Sequence, residues 1–167
     1  MSPASATPVG GPFRLIDHHG VEVTDESYRG RYVLLFFGFT HCKVVCPRAL
    51  GRLTNVLDRL GPLADRLQPL YVTVDPERDT PEVMRAFPER SYPRFTGLTG
   101  SCEEVERAKK AFRVFARRAP DPDDPSDYVV PHSAITYVLD PAGRYAMHFI
   151  DAVGEAEMIE RLRSLLS

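Results

Sequence analysis

The stretch that decides the fold is residues 32–60, YVLLFFGFTHCKVVCPRALGRLTNVLDRL. Its first part, 32–39, is short, aromatic and continuously apolar, which is typical of a strand buried on both faces of a sheet. Its last part carries leucine and valine at helical spacing over 50–60, after Pro47 at a position that the first turn of a helix tolerates. The stretch therefore predicts a central strand followed directly by a helix.

Signals elsewhere in the chain surround this unit with further strands and helices. Turn residues between apolar segments predict β-hairpins over 13–24 and 135–150, and the apolar run at 70–74 predicts a second buried strand. Caps and apolar periodicity predict further helices over 80–87, 101–115 and 158–166. Because βα units need parallel neighbours whereas the late hairpin is antiparallel, we predict an α/β fold of the thioredoxin-like type. It has a mixed sheet with helices on both faces and an N-terminal β-hairpin.

Length and composition favour one compact domain. The chain has 167 residues, of which 43% are apolar, and a chain of ~100–200 residues is the usual size of one domain. We expect a flexible leader over residues 1–12, which lacks the basic and apolar regions of a signal peptide, and a single domain over 13–167. Within the domain, the proline- and aspartate-rich residues 119–126 are expected to form an exposed loop.

The charge balance excludes some classes of partner. A net charge of -2 gives no bulk attraction to nucleic acid or to an acidic membrane surface. The longest apolar run is far shorter than the ~20 residues that cross a bilayer. We therefore expect no nucleic-acid partner, and membrane contact only through a tether outside this sequence.

Two of the three cysteines, Cys42 and Cys46, lie between the predicted central strand and its helix. Free backbone N–H groups and the helix dipole favour an anionic sulfur at such a position, and the positive charge of Lys43 between them adds to this effect. Sulfurs four residues apart come to one side of a helical or tightly looped segment. The pair could share a metal ion, close a disulfide or, less in keeping with its turn context, be buried and inert.

Two soft sulfurs favour Cu(I), Zn or an iron–sulfur centre, and a further ligand must come from elsewhere in the chain. Simple solvation or packing is the favoured interpretation for His18, His19 and His148, and His41 points away from its neighbour Cys42 if the segment is extended. His132 remains, on a loop before the late hairpin. Periodicity alone favours a structural or solvated role for it.

Four separated motifs then occur in a recognisable order. They are GFTHC at 38–42 followed by Cys46-Pro47, VDPERDTP at 74–81, GLTG at 97–100, and Asp127-Tyr128 before His132-Ser133. On these motifs, from Phe13 to the C-terminus, the chain resembles the Sco/SenC/PrrC family of thioredoxin-like, copper-binding proteins that assist the assembly of cytochrome c oxidase.

The resemblance implies a copper ion held by Cys42, Cys46 and His132. It also implies a metallochaperone rather than an enzyme, which helps to load the binuclear copper centre of cytochrome c oxidase subunit II or supplies another copper-receiving protein. A thiol-disulfide reductase is a further expected partner. The implied location is the periplasmic or intermembrane-space side of an energy-transducing membrane.

The chain departs from the family pattern beside the predicted ligands. Lys43-Val44 stands where the family usually has Pro-Asp, and Pro131 stands where it usually has Asp, so the site loses acidic groups and gains a cation. Asp75, which ends a predicted strand near the site, either orients ligands or takes protons there, or serves only as a turn residue before Pro76. Cys102 is extra to the pattern and is expected to be a helix-start residue.

A second hypothesis uses the same cysteines for enzyme chemistry. In a thiol-disulfide oxidoreductase or thiol peroxidase, Cys42 would attack and Cys46 would resolve the intermediate. The Lys43-Val44 pair brings a cation and lacks the family's acidic residue, which makes this alternative more plausible here than in a typical family member. A redox-responsive binding protein, whose disulfide only switches a surface, is the third interpretation.

Overall fold

The computed structural model describes residues 10–38, 45–92, 94–114, 119–121, 124–129, 135–150 and 153–167. Nine strands lie within these ranges: β1 (Arg14–Asp17), β2 (Glu22–Thr24), β3 (Tyr32–Gly38), β4 (Leu67–Thr73), β5 (Thr96–Thr99), β6 (Ala119–Asp121), β7 (Asp124–Val129), β8 (Ile135–Leu139) and β9 (Tyr145–Ile150). The α-helices described are α1 (Val45–Leu60), α2 (Pro81–Ser91), α3 (Cys102–Ala111) and α4 (Glu155–Leu166), with shorter 3-10 segments at Asp25–Tyr28 and Gly61–Arg66. None of these helices is long and apolar enough to cross a membrane.

A seven-stranded sheet runs in the order β2-β1-β5-β4-β3-β8-β9. The strands β3, β4 and β5 are parallel to one another, whereas β8 is antiparallel to β3 and β1 is antiparallel to β5. Both predicted hairpins are present, β1 with β2 and β8 with β9. The predicted mixed thioredoxin-like sheet is therefore confirmed.

The alternation of side chains along β3 builds a core on each face of the sheet. Leu34 and Phe36 pack with residues of α1 and α4, and Leu35 and Phe37 pack on the opposite face with Phe112 and other residues at α3. All four β3 side chains are almost fully buried. Burial of a side chain of this size contributes about 1.5–3 kcal/mol, so the continuously apolar strand stabilises both layers and explains why the helices lie on both faces.

Helix α3 begins as its sequence predicts. Ser101 accepts a hydrogen bond from the Glu104 N–H at 3.1 Å, and the Glu104 carboxylate accepts one from the Ser101 N–H at 3.0 Å. Acidic residues in its first turn and Lys109 and Lys110 in its last turn complement the helix dipole. The helix ends at Ala111, earlier than predicted. Arg113, just beyond that end, takes a left-handed conformation with φ 58°.

Two further features differ from the sequence-based expectation. Strand β5 was not predicted, because a four-residue strand that contains Gly97 gives little apolar periodicity. The expected exposed loop over 119–126 is wrong, since β6 and β7 pair antiparallel there, with an irregular register after Pro120. Proline and aspartate disfavour strands as isolated residues, so local propensity missed a hairpin that backbone pairing forms. The leader over 1–12 and the domain over 13–167 stay predictions, and residues 1–9 lie outside the described residues.

Candidate metal centre

The segment with Cys42 begins where β3 ends, and the segment with His132 ends where β8 begins. These two strand ends lie at the same end of the sheet. Strand β3 ends at Gly38, whose carbonyl accepts a hydrogen bond from the Val74 N–H at 2.8 Å, just after the end of β4. Strand β8 begins at Ile135, and Thr136 is paired with Phe36 near the end of β3. Because β8 is antiparallel to β3, the end of β3 and the start of β8 lie side by side.

Of the predicted ligands, only Cys46 falls within the described residues. Cys46 is the second residue of α1, and the backbone alone is described there. Cys42, Lys43 and His132 lie outside the described residues. Among the residues that the structure describes, no group of three histidine, cysteine, aspartate or glutamate side chains could hold a metal ion.

Asp75 is a buried carboxylate at the same end of the sheet. Its residue is 2% exposed, its carboxylate accepts a hydrogen bond from Nε of Arg78, and its N–H donates to Oγ1 of Thr73 at 2.8 Å. A buried acid costs a large desolvation energy unless a cation or hydrogen bonds compensate it. Arg78 supplies that compensation, so the turn at 75–78 holds a paired carboxylate beside the end of β3.

A second buried carboxylate, Asp79, ties the ends of β4 and β5 together. Oγ1 of Thr73 donates to its Oδ2 at 2.7 Å, Oγ1 of Thr99 donates to its carbonyl at 2.6 Å, and its own N–H donates to the carbonyl of Asp75 at 2.9 Å. The side chain of Asp79 is fully buried. Networks in which the buried polar groups are paired rigidify their surroundings. Sequence reasoning missed this role, although Thr73 and Thr99, polar residues at the ends of buried strands, were a visible signal.

The remaining cysteine and two of the histidines have local contacts. Cys102 is exposed at the start of α3, and its Sγ donates to Oε1 of Glu77 at 3.8 Å. His18 is 8% exposed, and its Nδ1 accepts a hydrogen bond from the Gly97 N–H at 2.9 Å. His148 is exposed and contacts the Tyr145 hydroxyl. The described histidines thus fit the expected packing and solvation roles.

The sequence stretch that contains the two predicted cysteine ligands carries cations and no acidic side chain. Residues 31–57 contain the four cations Arg31, Lys43, Arg48 and Arg52, and no aspartate or glutamate. The first turn of α1 carries no acidic residue. Positive charge at a helix N-terminus favours thiolate over thiol, so this electrostatic setting suits both soft-metal binding and thiol chemistry.

The fold is that of a thioredoxin-like domain, and in the sequence its cysteine pair follows the central strand β3. The chain belongs to the SCO1/SenC family, whose model matches residues 1–167. It is 40% identical over 156 residues to the mitochondrial SCO2 homolog of Danio rerio, covering 92% of this chain and 56% of that protein.

Solved structures agree with this assignment. The copper-bound structure of Bradyrhizobium japonicum ScoI is 37% identical, with a TM-score of 0.83 over 93% of this chain and 98% of that one. BsSco is described as having a disulfide switch and as a member of the Sco family of cytochrome c oxidase assembly proteins. It is 25% identical, with a TM-score of 0.73 over 96% of each chain. The copper that the sequence implies is thus found in a solved relative.

Proposed function

We propose that this protein carries copper as cargo and assists the assembly of cytochrome c oxidase. Family membership, the copper-bound ScoI and the description of BsSco support the proposal. In detail, Cys42, Cys46 and His132 hold the ion and pass it to oxidase subunit II, for its binuclear copper centre, or to another copper-receiving protein.

The neighbouring positions of the end of β3 and the start of β8 carry the proposal. The segment with the cysteines leaves the end of β3 at Gly38 and enters α1 at Val45, and the segment with His132 enters β8 at Ile135. Adjacent strands lie about 4.7–4.9 Å apart. Two loops that start from such neighbouring positions are favourably placed to bring their side chains to one ion.

The donor set suits copper chemically. Thiolates are soft ligands that select Cu(I), and imidazole suits copper as well. Three protein ligands leave the coordination sphere open, so that a ligand of the receiving protein can enter before a ligand of this chain leaves. Asp75 already has a cationic partner in Arg78, so we assign Asp75 to shaping this end of the sheet rather than to binding the ion.

Copper titration of the fully reduced protein tests the proposal. We expect one copper ion per chain, loss of binding in Cys42→Ser or Cys46→Ser, and weaker retention in His132→Ala. Cys102→Ser is the matched control, because its exposed thiol lies at the start of α3, and it should bind as the parent does. A reduced and folded parent protein that takes up no copper would contradict the proposal.

Thiol-disulfide chemistry is the second candidate, favoured by the cationic 31–57 stretch and by the disulfide switch described for BsSco. Here the thiolate of Cys42 attacks a substrate disulfide or peroxide, and Cys46 resolves the mixed disulfide or sulfenic acid. A thiol-disulfide reductase would then return the pair to the dithiol. Metal-free turnover that persists in His132→Ala would establish this function, and absence of turnover in the reduced parent would exclude it.

We further propose that the protein works on the periplasmic or intermembrane-space side of an energy-transducing membrane, held there by a tether. The mitochondrial relative is consistent with such a site. Protease accessibility of the full-length protein in intact spheroplasts or mitoplasts tests this location.

A further inference from the structure

The imidazole of His18 continues the pairing between β1 and β5. The backbone pairing of these strands ends at Asp17, opposite Leu98, so the next position along the register joins His18 to Gly97. The chain turns away from the sheet at His18, and Nδ1 of its ring accepts a hydrogen bond from the Gly97 N–H at 2.9 Å. A side-chain nitrogen therefore supplies the hydrogen bond that holds the two strands together at this end.

Both partners of this hydrogen bond are shielded from water. His18 is 8% exposed, and Gly97 is a buried residue of β5, which lies between β1 and β4 in the sheet. On the face of the sheet, the backbone of Gly97 packs closely against Met84 of α2. An unpaired N–H at a buried position costs free energy. Strand β5 therefore depends on the acceptor that His18 provides.

The direction of the hydrogen bond fixes the protonation state of the ring. An N–H donates only to an unprotonated ring nitrogen, so Nδ1 of His18 carries no proton, and the proton of the neutral imidazole lies on Nε2. This assignment holds whatever group Nε2 contacts. A proton on Nδ1 would turn two N–H donors toward each other at a buried position. The ring therefore gains a second proton only when it separates from Gly97.

The ionisable groups of the same turn do not relieve this conflict. Asp17 is the acidic one, and its Oδ1 already accepts the N–H groups of His19 and Val21 at 2.9 and 3.0 Å. The exposed ring of His19 lies edge-on to the ring of His18, with 4.4 Å between centroids. A proton on His19 therefore repels a second proton on His18.

The elements packed around the turn carry their charges in ion pairs or in contact with water. Strand β5 has no ionisable side chain. In the described part of the neighbouring elements, the ionisable groups are Tyr28, which is neutral in acid, Glu22 paired with Arg14, Asp58 paired with Arg94, Arg31 bound to Gln68, and the exposed Glu82 and Arg85 of α2. The acids among them already have a cation or water as partner.

We infer that the hydrogen bond between His18 and Gly97 is an acid-sensitive link, which releases β1 from β5 when His18 takes up a proton. An unperturbed histidine titrates near pH ~6.5. Below that pH the open form binds one proton more than the closed form, so the opening equilibrium rises by about tenfold for each unit by which the pH falls. The link is thus closed at pH 7 and weakens in acid.

Release of this link affects the strand that supports the buried network beside the candidate metal centre. At the other end of β5, Oγ1 of Thr99 donates to the Asp79 carbonyl at 2.6 Å. A loosened β5 therefore weakens the anchor of Asp79. The inference goes beyond the proposed function and does not depend on copper, because it concerns the metal-free chain.

Hydrogen exchange of the Gly97 amide in the intact chain, followed by NMR between pH 7 and 5, tests the inference. After correction for the intrinsic exchange rate, we expect the protection factor to fall by about tenfold per pH unit below pH ~6.5. In His18→Asn the side-chain oxygen can accept the same N–H but takes up no proton, so the protection should not change with pH. His19→Ala is the matched control and should keep the pH dependence of the parent.

The parent alone also tests the link, should His18→Asn fail to fold. Nitrogen chemical shifts of the labelled imidazole should show Nδ1 of His18 unprotonated and Nε2 protonated at pH 7. A proton on Nδ1 at pH 7, or a protection factor of the parent that does not change with pH, would overturn the inference. The same pH dependence in a folded His18→Asn variant as in the parent would overturn it as well.

Discussion

Replacing Thr73 with valine tests whether the buried network at the ends of β4 and β5 stabilises the fold. Valine matches threonine in shape, so no cavity forms, but two hydrogen bonds are lost: the one donated to Asp79 at 2.7 Å and the one accepted from the Asp75 N–H at 2.8 Å. A hydrogen bond to a charged group contributes about 1.5–3 kcal/mol, and an unsatisfied buried N–H costs about 1–3 kcal/mol. We expect a loss of about 3 kcal/mol in the free energy of unfolding.

Urea denaturation measures this loss. With an m-value of about 2 kcal/mol/M, a change of about 3 kcal/mol moves the midpoint down by about 1.5 M. Thr54→Val is the control, because its hydroxyl donates only to the Leu50 carbonyl of its own helix, and its change should stay within about 0.5 kcal/mol. A midpoint for Thr73→Val that equals the control's would refute the stabilising role of the network.

Three further changes have defined outcomes. Burial, and secondarily the charge of Asp17, raises the pKa of Tyr28 from 10.0 to about 12; the folded state therefore retains a proton that the unfolded state releases, and stability falls as the pH rises from about 10 to 12. Ultraviolet titration of Tyr28→Phe should lack this late ionisation. His18→Ala leaves the Gly97 N–H without its acceptor and should lower the free energy of unfolding by about 1–3 kcal/mol in urea denaturation. Gly51→Ala, in the open interior of α1, should raise the thermal midpoint, since alanine stabilises a helix by about 0.5–1 kcal/mol over glycine.

Controls separate these effects from general destabilisation. His19→Ala removes the neighbouring imidazole, which is exposed, and should change stability by less than about 0.5 kcal/mol. Tyr145→Phe removes an exposed tyrosine and should leave the late ionisation in place. A Tyr28→Phe titration identical to the parent's would contradict the assignment of the late ionisation to Tyr28. A His18→Ala variant as stable as the parent would contradict a stabilising hydrogen bond between His18 and Gly97. A Gly51→Ala variant less stable than the parent would contradict the open position of Gly51 in α1.

The central strand and its helix could be predicted because their signal is strong and local. The apolar run of β3 needs burial on both faces, and the structure places Leu34 and Leu35 in opposite cores. Strand β5 could not be predicted in this way, because Gly97 is required by contact with α2 rather than by local propensity. A Cβ at Gly97 would lie 3.0 Å from the Met84 carbonyl oxygen, and that neighbour is far away in the sequence.

The candidate ligands could be predicted from the sequence, whereas the buried network near them could not. The motifs at 38–47 and 127–133 indicated the candidate ligands through resemblance, and the topology places the ends of their flanking strands together. The network of Asp79 with Thr73 and Thr99 was not predicted, because its partners lie on different strands and become neighbours only through the parallel pairing of β4 with β5. Long-range pairing of this kind leaves no periodicity in the sequence.

X-ray absorption at the copper edge of the reduced, copper-loaded protein tests the proposed copper site most directly. We expect two sulfur scatterers and one imidazole around each ion, with the imidazole signal lost in His132→Ala and one sulfur lost in Cys42→Ser. A spectrum of the parent without imidazole, or one that His132→Ala leaves unchanged, would contradict binding by Cys42, Cys46 and His132.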